Sequence, residues 1–118
     1  MSDRALRFVT QLIEKTEQGK LSWSIGFEDG QFKTLLPGGR LAFVVQAKGD
    51  VRKFRMLDEK QDTVLEEIIT KDDTVNEPAH HPNLILYSSI EKLQGMARSR
   101  ALQVNEKLAT AEKLLAAI

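Results

Sequence analysis

Apolar positions near the start of the chain recur at helical spacing. Six residues recur at spacings of three and four and form one apolar stripe: Ala5, Leu6, Val9, Leu12, Ile13 and Thr16. This period predicts an amphipathic helix. Ser2 or Asp3 can cap its start, and Gly19 supplies the left-handed residue that commonly ends a helix.

From residue 21 the apolar period changes to two, which is typical of half-buried strands. We expect four strands with these buried positions: Leu21, Trp23, Ile25 and Phe27; Phe32, Thr34 and Leu36; Leu41, Phe43, Val45 and Ala47; Phe54 and Met56. Turn sequences separate them: Asp29-Gly30, Pro37-Gly38-Gly39 and Lys48-Gly49-Asp50. Tight turns join antiparallel neighbours, because parallel strands need long crossovers, so a meander is predicted.

The stretch "TVLEEII", residues 63–69, is ambiguous between a helical turn and a fifth strand. Val64, Leu65 and Ile68 fit a helical turn, but the β-branched content is typical of a strand, and we favour the strand. Residues 70–83 are polar and are expected to form a loop. From Asn83 onward the pattern is helical.

Apolar residues continue along the C-terminal region at a mean step of about 3.6, the period of an α-helix. The stripe contains Leu86, Ile90, Leu93, Ala97, Ala101, Val104, Leu108, Ala111, Leu115 and Ile118. A strict heptad over the whole region fails, because it would place Arg100 and Lys107 in the apolar seam. Gly95, Ala97 and Ala101 are small, which leaves a shallow strip that another backbone could approach.

This helix is too long for a compact domain of the same chain. Thirty-five residues would span roughly 52 Å, whereas a compact domain of this size has a diameter of roughly 35 Å. Either the helix bends or breaks near residues 103–105, where Asn105 could cap a second segment, or the overhang packs on another subunit. We favour the bend or break.

Composition indicates an ordinary soluble domain. The length of 118 residues suits a single α+β domain over residues 1–118. The chain has no Cys, which excludes disulfides, thiolate metal sites and thiol nucleophiles and fits the cytoplasm. Charged residues at the N-terminus argue against a signal peptide, and no apolar run approaches membrane length.

Charge is balanced overall but unevenly distributed. Residues 1–57 carry ten basic and six acidic side chains, residues 58–77 carry two and eight, and residues 78–118 carry five and three. Nucleic-acid binding is therefore not expected, because it requires a positive surplus. A basic group lies on the predicted third and fourth strands and their turns: Arg40, Lys48, Arg52, Lys53 and Arg55. We favour an ordinary charged sheet face, and the alternative is a docking patch for an acidic partner, including segment 58–77 of another copy.

The stretch "NEPAHHPNL", residues 76–84, holds both histidines of the chain. A metal site there would combine His80 and His81 with carboxylates at Asp72, Asp73 or Glu77. Adjacent side chains of an extended segment point in opposite directions, so the ligand set is incomplete by spacing. We interpret the stretch as a proline-stiffened connector in which Asn83 caps the following helix. No nucleophile pattern or phosphate-binding loop is present, so no catalytic residue and no cofactor are expected.

Three stretches, "LIEKTEQGKLSW", "FRMLDEKQDTVLEEI" and "LYSSIEKLQGMARSRALQVNEKL", carry a resemblance. Together they resemble a group of small uncharacterised bacterial proteins. In that group a first helix ends in a Thr-x-x-Gly-Lys-x-x-Trp-like turn, and an Ala/Arg-rich helical region follows a small sheet. The resemblance implies a bacterial or phage origin and an α+β fold, but no activity and no functional residues.

The function that these patterns favour is a non-enzymatic intracellular protein-interaction module, self-associating as a homodimer through its C-terminal helices. The candidate interaction residues are Arg40, Lys53, Arg55, Gly95, Ala97, Ala101, Leu108 and Leu115. One alternative is a small-ligand-binding or regulatory protein with a pocket between sheet and helices near Trp23. A second alternative is a metal-assisted enzyme that uses the loop of His80 and His81.

Overall fold

A computed structural model describes residues 3–75 and 81–118 of this chain and confirms the predicted α+β fold. Two helices pack on one face of a five-stranded antiparallel sheet. In chain order the elements are α1 (Asp3–Glu17), β1 (Trp23–Ile25), β2 (Gln31–Leu35), β3 (Ala42–Lys48), β4 (Val51–Leu57), β5 (Thr63–Thr70), a 3-10 turn (Lys71–Thr74) and α2 (Pro82–Ala116).

The sheet is a simple meander in which each strand pairs with its neighbours in sequence. The stretch that was ambiguous in sequence is strand β5, which pairs along β4 from Val51 opposite Thr70 to Leu57 opposite Thr63. The predicted turns are confirmed at both ends of β3. Gly30 closes the first hairpin with a φ of 72°, and a Cβ there would lie 2.4 Å from the carbonyl oxygen of Ala47. Only glycine fits this position, because both the backbone conformation and the close approach exclude a side chain.

The hydrophobic core lies between the inner face of the sheet and the two helices. The sheet contributes Trp23, Phe32, Phe43, Val45, Phe54 and Ile69, and the helices contribute Ala5, Val9, Leu12, Leu86, Ile90, Leu93, Ala97 and Ala101. The rings of Phe43 and Phe54 stack at 5.4 Å between centroids, and Phe8 of α1 packs on Phe43 from the other side. The alternation predicted from the sequence therefore defines most of the core.

A buried polar link joins α1 to the sheet and to α2. The Trp23 indole N–H donates a 3.0 Å hydrogen bond to the hydroxyl oxygen of Thr16. The Thr16 hydroxyl in turn donates a hydrogen bond to the backbone carbonyl oxygen of Leu12. Arg100 of α2 donates a 3.1 Å hydrogen bond to the Thr16 carbonyl. Buried polar groups need hydrogen-bond partners. This link therefore fixes the C-terminal end of α1 against α2, at the last turn of α2 that is still in contact with the rest of the fold.

The predicted burial of the first strand is wrong beyond Trp23. Strand β1 has only three residues; Ile25 is 53% exposed and Phe27 is 104% exposed. The loop between β1 and β2 leaves the sheet at Gly26, so the alternating pattern no longer places Phe27 over the core. Leu41 is also exposed, because β3 begins one residue later at Ala42.

The predicted start and the predicted break of the C-terminal helix are both wrong. Helix α2 begins at Pro82, and its cap is His81, whose Nδ1 accepts a 3.2 Å hydrogen bond from the backbone N–H of Asn83. Proline suits the first helical position, since its missing N–H would have no partner there. The helix then runs without interruption through residues 103–105 to Ala116. Asn105 is an ordinary exposed helical residue and caps nothing.

The continuous helix makes the molecule elongated. Its extents are 59 × 28 × 26 Å, and its radius of gyration is 15.8 Å. A compact chain of this length would have a radius near about 13.5 Å. Neither of the helices within residues 3–75 and 81–118 combines the length and the apolar character that crossing a membrane requires.

Candidate functional site

The last part of α2 leaves the body of the molecule and forms what we call the protruding segment, residues 102–118. Ala101 is the last buried residue of the helix, and every residue after it is exposed. Leu108 is 57% exposed, Leu115 is 70% exposed and Ile118 is 100% exposed. The helical part of this segment, from Leu102 to Ala116, is about 22 Å long. Its apolar side chains have no covering element in the described parts of this chain.

The exposed apolar residues of the protruding segment continue the buried face of the same helix. At about 100° per residue, the five buried positions from Leu86 to Ala101 span an arc of about 80°. The positions Ala101, Val104, Leu108, Ala111, Leu115 and Ile118, which we call the apolar stripe, span about 100° on the same scale. The centres of the two arcs differ by only about 10°. One helix face is therefore covered by the body up to Ala101 and uncovered beyond it.

The apolar stripe has heptad spacing, although the whole helix does not. Between Leu93 and Ala101 two steps of four follow each other, which explains why a strict heptad fails there. From Ala101 onward the steps are three, four, three, four and three, the a and d positions of a coiled coil. In this frame Lys107 lies beside the seam and not within it. This change in the spacing of apolar positions at Ala101 is visible in the sequence. It indicates a candidate site only when combined with the structural observation that the body ends there.

Two of the predicted interaction residues of α2 lie elsewhere. Ala97 is fully buried in the core and is therefore not available to a partner. Gly95 is exposed, and a Cβ built on it would meet no atom within 4 Å, so it is not part of a close-packed strip. Leu108 and Leu115 lie together on the apolar stripe. Ala101 lies at its upper end, buried against the body.

The predicted basic patch is only partly assembled. Lys53 and Arg55 project from β4 on the sheet face that neither helix covers, and Arg40 lies exposed in the turn between β2 and β3. The Nε atom of Arg55 lies 3.8 Å from a carboxylate oxygen of Glu66 on β5. The acidic segment thus already faces Arg55 within one chain, and these residues do not adjoin the protruding segment.

Arg52 does not belong to this patch, because its side chain turns towards α2. Its guanidinium donates a 2.6 Å hydrogen bond to Glu91 and further hydrogen bonds to the carbonyls of Gly49 and Val51. The guanidinium also lies 4.8 Å from the centre of the Tyr87 ring, a cation–π contact. Arg52 therefore anchors the turn between β3 and β4 to the first half of α2.

The metal-site hypothesis gains no support from the described residues. His80 and Glu77 lie outside the residues that the structure describes. His81 caps α2, and the carboxylate of Asp73 accepts a 2.8 Å hydrogen bond from the backbone N–H of Thr70 in a capping box. Across residues 3–75 and 81–118, no group of three or more His, Asp or Glu side chains could hold a metal ion.

Near Trp23 the structure has a surface depression of about 370 Å³, which is also lined by Ser22, Ser24, Lys33 and Leu35. Trp23 is 3% exposed and is a core residue held by Thr16. A separate apolar cleft of about 520 Å³ lies between α1 and the sheet beside the turn that joins β2 to β3. Its walls include Phe8, Leu12, Leu21, Leu36, Leu41, Phe43 and Met56, and Gln11, Glu14 and Lys15 lie at its rim.

A second cleft lies where α2 leaves the body. It has a volume of about 540 Å³ and is lined by the loop between β1 and β2 together with Gln94, Arg98 and Leu102 of α2. The exposed ring of Phe27 forms part of its wall. The alternating pattern assigns Phe27 to the core, so this cleft could not be predicted from the sequence.

Comparison with known proteins identifies no relative of this chain. No protein-family model, no curated protein and no solved structure matches the chain. The resemblance to small uncharacterised bacterial proteins therefore remains a prediction, and the function must be argued from the surface itself.

Proposed function

We propose that this chain is a non-enzymatic cytoplasmic protein-interaction module that associates with itself through the protruding segments of α2. The observation that carries the proposal is the apolar stripe, which continues a buried helix face into solvent. No residue of the stripe beyond Ala101 contributes to the core of its own chain. The stability of the isolated fold therefore does not explain why these positions are apolar.

Solvent exposure of the stripe is energetically unfavourable. Burying a leucine or valine side chain fully is worth about 1.5–3 kcal/mol each relative to leaving it in water. Val104, Leu108 and Leu115 are all at least 47% exposed. An isolated helix of about fifteen residues is also marginal in water without packing partners. Association would both cover these side chains and order the helix end.

Removal of the protruding segment tests this function directly. We expect the full chain to sediment as a dimer whose population rises with concentration, and a chain that ends at Gln103 to remain a monomer. The free energy of unfolding of the shortened chain should stay within about 0.5 kcal/mol of the full chain, because the removed residues bury no core contact. Sedimentation velocity measures the oligomeric state, and urea titration at dilute protein measures the free energy of unfolding.

Three results would contradict the proposal. A full chain that remains monomeric up to several hundred micromolar would show that the stripe does not bind a second copy. A shortened chain that still dimerises would place the interface elsewhere. If the shortened chain loses several kcal/mol of stability, the protruding segment belongs to the fold and the argument fails.

A second candidate function, small-ligand binding, is favoured by the apolar cleft between α1 and the sheet. Its size is within the range of ligand pockets, its walls are apolar, and Lys15 and Glu14 both lie at its rim, so an apolar ligand with a polar end group suits it. We expect decanoate to raise the thermal midpoint in a saturable way, because a ligand that binds only the folded state stabilises it by mass action. Decanol is the matched probe without charge. An unchanged midpoint with both probes would count against this function.

A further inference from the structure

We infer that the occupant of the apolar stripe is a second copy of this chain lying antiparallel, with the dyad between Ala109 and Thr110. This inference rests on the proposed function and adds the orientation and register of the pair. It places the two bodies at opposite ends of a shared helical rod. The argument uses the position of the body, the spacing of the stripe and the sizes of its side chains.

The body of each protein excludes a parallel pair. The stripe and the buried face of α2 point in the same direction, so a partner helix that covers the stripe lies directly in line with the body. In a parallel pair the residues of the partner before Ala101 would run into that body. A parallel partner could avoid this clash only by sliding along the helix axis. It would then have to cover the stripe with the first half of its own α2, whose apolar face is already buried by its own sheet. An antiparallel partner runs away from the body and meets neither obstacle.

The heptad spacing selects one antiparallel register. In antiparallel pairs an a position faces a d position of the partner. With the dyad between Ala109 and Thr110, the four exposed helical positions of the stripe are paired: Val104 faces the partner's Leu115, and Leu108 faces the partner's Ala111. Ala101 is already buried against its own body, and the partner's Ile118, two residues beyond the end of α2, comes near the point where the helix enters that body.

The side-chain sizes agree with this register. One layer joins a valine to a leucine and the other joins a leucine to an alanine, so each layer combines a large side chain with a smaller one. Moving the pair by one heptad in one direction would bring Leu115 against Ala97 of the other copy, which is fully buried. Moving it in the other direction would leave Val104 uncovered. The chosen register alone uses the whole protruding segment and stops where the body begins.

Charges beside the seam are compatible with this pairing. Lys107 lies next to the partner's Leu114, where its aliphatic stem covers an otherwise exposed leucine. Asn105 lies next to the partner's Glu112, so no like charges face each other directly. Arg98, about one turn before the protruding segment, comes near the C-terminal end of the partner's helix. Cations are favourable there because of the helix dipole.

The size of this contact sets the expected affinity. The helical parts of the two segments overlap over about 20 Å. Such a contact buries less surface than a standard interface of about 1,600 Å², so we expect association in the micromolar range. Experiments must therefore use protein at tens to hundreds of micromolar.

Disulfide formation between different single-cysteine variants tests the orientation, since the natural chain has no Cys. We would mix V104C with L115C, one of them carrying a tag that changes its mass, and oxidise the mixture mildly. In the antiparallel register these two positions face each other, whereas two copies of either variant hold their cysteines about 16 Å apart along the rod. Disulfides need Cα atoms within about 7 Å. We expect the mixed disulfide to exceed either self-disulfide at least tenfold.

The outcomes separate this inference from the function on which it rests. Self-disulfides of V104C and of L115C, with little mixed product, would show a parallel dimer and overturn the inference while leaving self-association intact. The variant T110C is the matched control, because the side chain at position 110 projects away from the seam. It should form neither a self-disulfide nor a mixed disulfide above background. If the unmodified chain is a monomer by sedimentation, the proposed function fails and the inference fails with it.

Discussion

Replacing Leu108 with glutamate is expected to weaken self-association at least about 100-fold in Kd. Leu108 lies in the central layers of the inferred pair, and each dimer contains it twice. Losing the burial of two leucine side chains costs about 3–6 kcal/mol, before the unfavourable burial of two carboxylates is counted. Sedimentation equilibrium of L108E and of the natural chain over the same concentration range measures the change.

The matched control for this substitution is T110E. It introduces the same charge two residues away on the side of the helix that faces solvent. We expect T110E to dimerise within about threefold of the natural chain, which is about 0.7 kcal/mol. Both variants should unfold at the same urea concentration as the natural chain under monomeric conditions, since neither position touches the core. Equal dimerisation of L108E and the natural chain would mean that the stripe is not the interface.

Replacing Phe54 with alanine is expected to destabilise the fold by about 3–5 kcal/mol. Phe54 is fully buried at the centre of the sheet and stacks on Phe43 at 5.4 Å. The substitution removes this contact and leaves a cavity that the surrounding strands can close only in part. Urea denaturation followed by tryptophan fluorescence measures the loss, because Trp23 lies in the same core.

Phe27→Ala is the control on the same residue type. Phe27 is fully exposed, so its removal should change the free energy of unfolding by less than about 0.5 kcal/mol. The sequence pattern alone would predict similar losses at both phenylalanines. A large loss at Phe27 would indicate that the loop between β1 and β2 packs back on the sheet.

The meander could be predicted from sequence because its determinants are local. Asp29-Gly30 and Lys48-Gly49-Asp50 are turn sequences whose glycines adopt positive φ, and they fix which strands become neighbours. The alternation between these turns placed Phe43, Val45 and Phe54 correctly on the inner face. These features need no knowledge of the rest of the chain.

The errors arose where tertiary structure decides the outcome. Ile25 fits the alternation, but it ends a three-residue edge strand, and the alternation does not show where pairing stops. The break expected near Asn105 came from assuming that the whole chain is compact, whereas the local sequence contains no strong helix breaker there. The apolar stripe itself was visible in the sequence. That its second half lies in solvent depends on where the body ends.

The outer strand β5 has a consequence for how the protein avoids unwanted polymers. It is an eight-residue edge whose backbone groups on one side pair with no other strand of the sheet, and Val64 and Ile68 are exposed beside them. Such an edge can template further strands from other molecules. Glu66 and Glu67 lie at its centre, so a growing stack would bring like carboxylates together at about 4.8 Å spacing. Charged side chains at the centre of an edge strand disfavour such stacking, and Glu66 and Glu67 place two of them on the longer outer strand of the described sheet.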